Sequence, residues 1–188
     1  NPTRDFNNIV LRMKSLNPDI VIPANYYNEY ALLLRTMQQQ KVTPKAVYSV
    51  LGGAASSFKF VKEAPESANG IIDCNHWYNP KDARALALRK RVEAKGLFFT
   101  YEIFNTYTAM MYLADAINRA KSTDRAAITA ALTDSTFSDH FMPYGPTKMV
   151  NGQNTGAQPL MTQVLKGDIK VIVPRDYREA APVFPLKA

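Results

Sequence analysis

Two residue sets in this chain have the chemistry to act on another molecule. The first is Cys74 with His76, two positions apart, a spacing that puts both side chains on one face while a strand continues. A thiol beside an imidazole is the smallest set a nucleophilic hydrolase needs. Strand cysteines are far more commonly inert core residues, so a small hydrolase using Cys74 and His76 is the alternative reading. The second His, His140, has no neighbour in sequence to complete a catalytic set. One Cys and two His exclude an intrachain disulfide and give little for a transition metal. Paired carboxylates, G-x-S-x-G and H-E-x-x-H are all missing from the sequence. No metal or cofactor is expected.

The second set is built for binding. Ala24-Asn25-Tyr26-Tyr27-Asn28 and Asn75-His76-Trp77-Tyr78-Asn79 are dense in aromatics with polar tips. Leu51-Gly52-Gly53-Ala54-Ala55-Ser56-Ser57 is small and glycine-rich, and it opens a helical stretch. Gly52-Gly53 fits neither G-x-G-x-x-G nor a phosphate-binding loop; a plain tight turn and a cradle of backbone N–H groups both suit it. Together the three segments describe apolar walls with a few polar readers. Trp77 suits such a wall, and suits packing on the sheet equally well.

Each segment follows a predicted strand. Asp19 to Pro23, Ala46 to Val50 and Gly70 to Cys74 are short apolar runs rich in β-branched residues, the signature of strands buried on both faces of a parallel sheet. Helical patterns separate them. Phe6, Ile9, Val10, Met13 and Leu16 share one face, and Asn17-Pro18 ends that helix. Tyr30, Leu33, Leu34 and Met37 make a second face, Ser56 to Glu63 a short helix, and Lys81 to Lys95 a further one. The order α-β-α-β-α-β-α predicts an α/β fold, a parallel sheet with helices on its faces. Ligands of such sheets bind outside the carboxyl ends of the strands, which is where the three segments lie. Tyr101 to Ala120 predicts the longest helix, apolar on most sides and therefore buried. Ser122 or Thr123 caps the helix after it, with Asp124 in its first turn. Beyond it come a short strand, Thr147 to Val150, and a hairpin of Leu160 to Leu165 and Ile169 to Val173 around a Gly167-Asp168 turn.

Composition fits a folded soluble protein: 188 residues, 46% hydrophobic and 21% charged. The longest apolar runs are four or five residues, against the roughly 20 of a membrane span. A net charge of +7 raises nucleic acid as a partner. The Lys and Arg residues are scattered, however, and the one tight cluster, Arg89-Lys90-Arg91, splays around a helix. No nucleic-acid partner is expected. The chain opens Asn1-Pro2-Thr3, so either a signal peptide has been removed or the sequence starts inside a longer protein.

Several stretches carry a resemblance: Ser15 to Ile22 (SLNPDIVI), Leu51 to Ser56 (LGGAAS), Tyr107 to Ala116 (YTAMMYLADA), Ser122 to Arg125, and Met142-Pro143-Tyr144-Gly145-Pro146 continuing into Asn151 to Leu160. In this order and spacing the chain resembles the C-terminal part of a type I periplasmic solute-binding protein of the branched-chain amino acid ABC-transporter family. The resemblance covers essentially the whole chain. It implies Rossmann-like three-layer lobes that close on a small ligand. It also implies a division into 1–103 as a second-lobe segment, 104–146 returning to the first lobe, and 147–188 as hinge strands and tail. About half of a full family member would then lie outside this sequence.

The resemblance also implies a function: an extracytoplasmic, periplasmic solute-binding component that takes an amino acid-like or organic carboxylate, aromatic acids among them, and delivers it to a membrane permease. A ligand-sensing receptor domain of the same fold is the alternative. Tyr26 matches the family's pocket tyrosine. Gly52, Gly53 and Ala54 match the place where family members often hold the ligand ammonium with a Glu, and here no acid stands between Tyr48 and Lys62. Tyr101 and Phe104 match an aromatic near the hinge. With His76 and Trp77 from the third strand end, these make the expected ligand-binding set.

Overall fold

The computed structural model describes residues 4–50, 54–133 and 135–186. Its elements run α1 (Asn7–Leu16), β1 (Ile20–Val21), α2 (Tyr27–Gln39), β2 (Ala46–Val50), α3 (Phe58–Glu63), α4 (Pro65–Ala68), β3 (Ile72–Asn75), α5 (Ala83–Glu93), α6 (Tyr101–Ala120), α7 (Arg125–Leu132), β4 (Thr136–Phe137), β5 (Thr147–Val150), β6 (Gln153–Asn154), β7 (Leu160–Leu165) and β8 (Asp168–Val173). The chain falls into two compact units. The first comprises Asn1–Asn75, Val92–Thr100 and Leu160–Ala188; the second comprises His76–Arg91 and Tyr101–Pro159.

The first unit is the expected α/β layer. Its five-stranded sheet has the order β1-β2-β3-β7-β8. β1, β2 and β3 are parallel, with Ile20 opposite Ala46 and Ser49 opposite Asp73. The β7–β8 hairpin joins antiparallel on the β3 side, with Asp73 opposite Thr162. Lys166 and Gly167, both at positive φ, form its two-residue turn, one position earlier than the Gly167-Asp168 expectation, because this geometry suits the twist of a hairpin. The core combines Tyr30, Leu33, Leu34 and Met37 of α2, Phe60 and Val61 of α3, and Val164, Ile169 and Val171 of the hairpin.

Two expectations change here. The first strand is not buried on both faces. β1 is the sheet edge and only two residues long, with Ile20 50% and Ile22 63% exposed. Sequence pattern reports what could be buried, and an edge strand has a neighbour on one side only. α1 ends as expected: Asn17 takes the left-handed conformation (φ 45°), and its N–H bonds the Met13 carbonyl. Its face is split, with Phe6 and Val10 buried and Ile9 and Leu16 exposed.

The second unit is mostly helical. α6 spans the residues expected, but it is not enclosed. Phe104 and Ala116 are fully buried, whereas Tyr107, Met110 and Met111 are exposed, Met110 by 59%. Apolar side chains are buried only where another layer covers them, and the helix packed on α6 is α7. Asp124 itself caps α7, accepting the Ala127 N–H at 3.0 Å, while Ser122 Oγ accepts the Asp124 N–H. Asp124 therefore does the work expected of Ser122 or Thr123. A small antiparallel sheet, β4-β5-β6, closes the unit, with Asn151 and Gly152 at positive φ in its tight turn. Among the described residues no helix is long and apolar enough to cross a membrane.

Candidate functional site

In the first unit, β1 leads through Pro23 to Asn25 into α2, and Tyr26 is the extended residue that caps α2. It is 88% exposed. Its neighbour Tyr27 is engaged instead. The Tyr27 hydroxyl donates to Glu63 Oε2 at 2.9 Å, its ring meets Phe60 edge-on, and Lys59 Nζ lies 5.2 Å from the ring centre. Burial, helped by the Glu63 hydrogen bond and charge, pushes the Tyr27 phenol up to about 12.

After β2, Gly52 and Gly53 lie outside the described residues. Ala54 is fully buried, and the turn from Ala54 to Ser57 is closed by the Ser57 N–H on the Ala54 carbonyl, 3.1 Å. Ser57 then bridges Thr100, and the Phe58 N–H bonds the Phe99 carbonyl. Beneath this turn sits a carboxylate that sequence reading passed over. Asp73 of β3 is 1% exposed; Ser56 Oγ donates to its Oδ2, and Asn75 Nδ2 donates to the same oxygen at 3.3 Å. On the neighbouring strand, Ser49 and the Tyr30 hydroxyl share a short hydrogen bond. Burial first, then the Asp73 charge, push the Tyr30 phenol well above its ordinary value, against the opposing pull of Ser49. A buried carboxylate is tolerated only when hydrogen-bonded, and Ser56 and Asn75 meet that need. The small neutral turn is thus backed by an anion. One signal could have revealed it: a lone acid inside the apolar run Ile71-Ile72-Asp73-Cys74.

Cys74, next along β3, is half-buried. Its partner is Tyr48, whose phenol is pushed up by burial first and then by the charge and hydrogen bond of Cys74.

In the second unit, His76 is half-buried while Trp77 and Tyr78 are fully buried. Trp77 meets Phe104 edge-on at 5.4 Å, Tyr78 meets Phe104 at 5.5 Å, and Trp77 lies 5.3 Å from Tyr78. This triangle occupies the inner side of α6, whose first residue, Tyr101, is half-buried. Arg89 reaches the Tyr78 hydroxyl at 3.3 Å.

The same unit holds a cavity of about 200 Å³ lined by Arg84, Tyr107, Thr108, Asp139, His140 and Phe141, with Met111. Arg84 Nη1 pairs with Asp139 at 2.5 Å, and Nη2 with Asp82 at 3.1 Å and with the His140 carbonyl at 3.0 Å. The Arg84 hydrogen bond holds the Asp82 carboxyl below its usual range, and Asp82 and Asp139 hold the Arg84 guanidinium above its own. The Met142 N–H lies 3.2 Å from His140 Nδ1 and the Thr147 N–H 3.2 Å from Nε2; the neutral ring accepts one of them, its other nitrogen carrying the proton. Burial, then the Arg84 charge, lower its proton affinity. Tyr107 stacks on Phe141 at 5.4 Å, and Thr108 Oγ1 is buried without a hydrogen-bond partner among the described residues. Sequence reading missed this set because Arg84 and Asp139 are 55 residues apart, with no local motif joining them. Among the described residues no group of three or more His, Cys, Asp and Glu side chains is placed to hold a metal ion.

The family model described as "Periplasmic binding protein" matches residues 1–168 of the 188. The chain belongs to the periplasmic binding protein family. No curated protein matches the chain in sequence. Solved structures show the same fold. A leucine-binding protein of Thermotoga maritima superposes with a TM-score of 0.72 at 21% identity, covering 90% of this chain and 48% of its own. An extracellular ligand-binding receptor from Rhodopseudomonas palustris gives 0.74 at 19% identity, covering 91% and 52%. An ABC-transporter solute-binding protein of R. palustris, solved with benzoate, gives 0.73 at 16% identity, covering 96% and 49%. This periplasmic binding protein chain thus spans about half the length of the structures it matches.

Proposed function

We propose that the chain is part of an extracytoplasmic solute-binding protein that captures a small carboxylate and presents it to a membrane permease of an ABC transporter. The observation that carries this reading is a parallel β1–β2–β3 layer in a periplasmic binding protein whose strand ends lead into Tyr26 and the Ala54–Ser57 turn. Ligands of parallel layers bind at that end. The proposed ligand contacts are Tyr26, Gly52 and Gly53 of the first unit and, taken separately, His76 and Tyr101 of the second; Ala54, Trp77 and Phe104 are fully buried and pack inside their units. The benzoate complex and the leucine-binding protein among the similar structures support a carboxylate as the ligand. The 54–57 turn offers small neutral groups, and the carboxylate behind it, Asp73, is already bonded by Ser56 and Asn75. An α-ammonium would find no committed partner there, so carboxylates lacking one are favoured over leucine, isoleucine and valine. Such a protein binds and releases its ligand unchanged and needs no catalytic set.

The test is a thermal-shift panel of amino acids, aliphatic acids and aromatic acids on the whole protein, since a ligand bound to the folded state raises its apparent stability by mass action. A rise with aromatic or aliphatic carboxylates and none with leucine is expected. A rise with leucine alone would overturn the ligand assignment, and no rise across the panel would overturn the binding role.

A further inference from the structure

A cavity of the first unit lies at the other end of its sheet. It holds about 350 Å³. Val42 to Pro44, which lead into β2, line it together with Gly70 and Ile71, which lead into β3, so it sits at the amino ends of the parallel strands. Its floor is apolar, from Leu34, Met37, Val47 and Ile71. All four are nearly inaccessible to water. One wall is supplied by the C-terminal segment, through Val183 and Leu186.

That wall is separately anchored. The Gln163 side chain, fully buried on β7, donates from Nε2 to the Gly70 carbonyl at 3.0 Å and to the Val183 carbonyl at 2.9 Å; its Oε1 accepts the Val183 N–H at 2.9 Å. One side-chain amide thus serves the backbone of residue 183 as a neighbouring strand would. The Leu186 N–H bonds the Lys45 carbonyl at 2.8 Å. The Leu186 side chain lies where a Cβ on Gly70 would stand, and Gly70 has φ +86°. Position 70 therefore needs glycine for conformation and for space.

The cavity also has a charge. Glu66 is the only acidic or basic side chain among its described lining residues. Its Oε2 accepts Gln38 Nε2 at 2.7 Å, and Ser67 Oγ donates to Gln38 Oε1 at 2.5 Å. A carboxylate offers about four acceptor sites, so one amide leaves room for a further donor. A neighbouring concavity, which shares Gln38, Glu66 and Ser67 with this one, is lined by Arg35 and Glu63.

We propose that this cavity is a second binding site, for a small alkylammonium molecule. A hydrocarbon of about five to seven carbons would cover the apolar floor of a cavity at the lower end of the ligand-site range, and its ammonium would sit at Glu66. Residues 183–186 form the wall that closes over it. The site shares no residue with the strand-end faces and does not depend on the identity of the carboxylate.

The experiment titrates n-hexylammonium chloride, hexanol and sodium hexanoate into the intact isotope-labelled protein and follows backbone amide resonances. Hexylammonium should shift the amides of Gly70, Val183 and Leu186 saturably, hexanol more weakly, and hexanoate least. Glu66→Gln, an exposed and conservative change, should weaken hexylammonium three- to fivefold, the effect of an exposed ion pair of up to ~1 kcal/mol, and leave hexanol unchanged. Leu186→Ala should weaken hexylammonium and hexanol alike. Absence of saturable shifts at these amides, equal binding of hexanoate, or a Glu66→Gln variant that binds hexylammonium like wild type would each overturn the proposal.

Discussion

The two units solve the same problem, holding polar groups inside an apolar fold, by different means. The first buries a carboxylate completely: Asp73 lies within the sheet, bonded by Ser56 and Asn75. The second keeps its charges at the surface. The Arg84 side chain is 55% exposed and the Asp139 side chain 71%, and the large side chains fully buried there are aromatic rings. Buried polar groups are costly to disturb, because removing one partner leaves the other unsatisfied. Exposed ion pairs contribute little. The first unit should therefore be sensitive to polar substitutions, and the second to loss of ring volume.

The largest effect is expected in the second unit. Trp77→Ala removes a fully buried ring that touches Tyr78 and Phe104. Large-to-small core changes of this kind cost about 3–5 kcal/mol. Urea unfolding followed by far-ultraviolet circular dichroism measures it, since the variant lacks the chain's single tryptophan. A loss under about 1 kcal/mol would mean the triangle is not a core and would return Trp77 to the role of a free wall.

In the first unit, Asp73→Ala strips Ser56 and Asn75 of their shared acceptor. The expected loss is about 1–3 kcal/mol, the cost of stranding buried donors. Asp73→Asn, which keeps an acceptor oxygen, should lose less. Equal losses would show that charge rather than hydrogen bonding holds the 54–57 turn.

These two sites also mark how far sequence carried the argument. The alternation of helical faces and apolar runs was enough for the parallel layer, because helix and strand periods leave direct marks on side-chain order. α6 was legible to the residue, yet its burial was not: pattern shows which side chains suit a core, and Met110 stays exposed because no described layer covers it. Tyr26 and Trp77 are both aromatics that follow apolar runs in the sequence. One is 88% exposed and the other fully buried, a difference decided by packing. Asp73 had a local signal, an acid in an apolar strand. Arg84, Asp139 and His140 had none, since their meeting depends on how residues 79 and 141 are brought together, with the Asn79 N–H on the Phe141 carbonyl at 2.7 Å.

A smaller effect separates the units by pH. His140 pins its loop by accepting a backbone N–H, from Met142 or Thr147, on its one unprotonated ring nitrogen. Burial and Arg84 lower its proton affinity in the folded state below the ordinary 6.5, against the opposing pull of Asp139 and Gly145. The unfolded chain therefore binds the proton first as pH falls, so this contribution to stability is complete above 6.5 and is lost on descending from there toward the folded-state value. Melting midpoints measured between pH 7.5 and about 5 should drop more steeply for wild type than for His140→Gln. Parallel curves would show that the ring does not carry this dependence.

The smallest stability effect belongs to Tyr26, and there the contrast with Trp77 is sharpest. Its side chain is almost fully in water, and as cap of α2 it contributes an extended backbone with no side-chain hydrogen bond to the helix. Tyr26→Ala should change stability by no more than about 0.5 kcal/mol, the usual range for a surface position. If Tyr26 serves the proposed ligand, as a flat apolar plate with a hydroxyl and only two χ angles to fix, its truncation removes contacts of roughly 1–3 kcal/mol. Affinity for the carboxylate identified by thermal shift would then fall about 10- to 100-fold, since 1.4 kcal/mol is tenfold. Calorimetric titration of the whole protein and its variant decides between the two roles. Unchanged affinity with unchanged stability would leave Tyr26 as an ordinary surface residue and move the search to Tyr27, whose hydroxyl is already committed to Glu63. A large stability loss would instead place Tyr26 in a core, which its exposure here argues against.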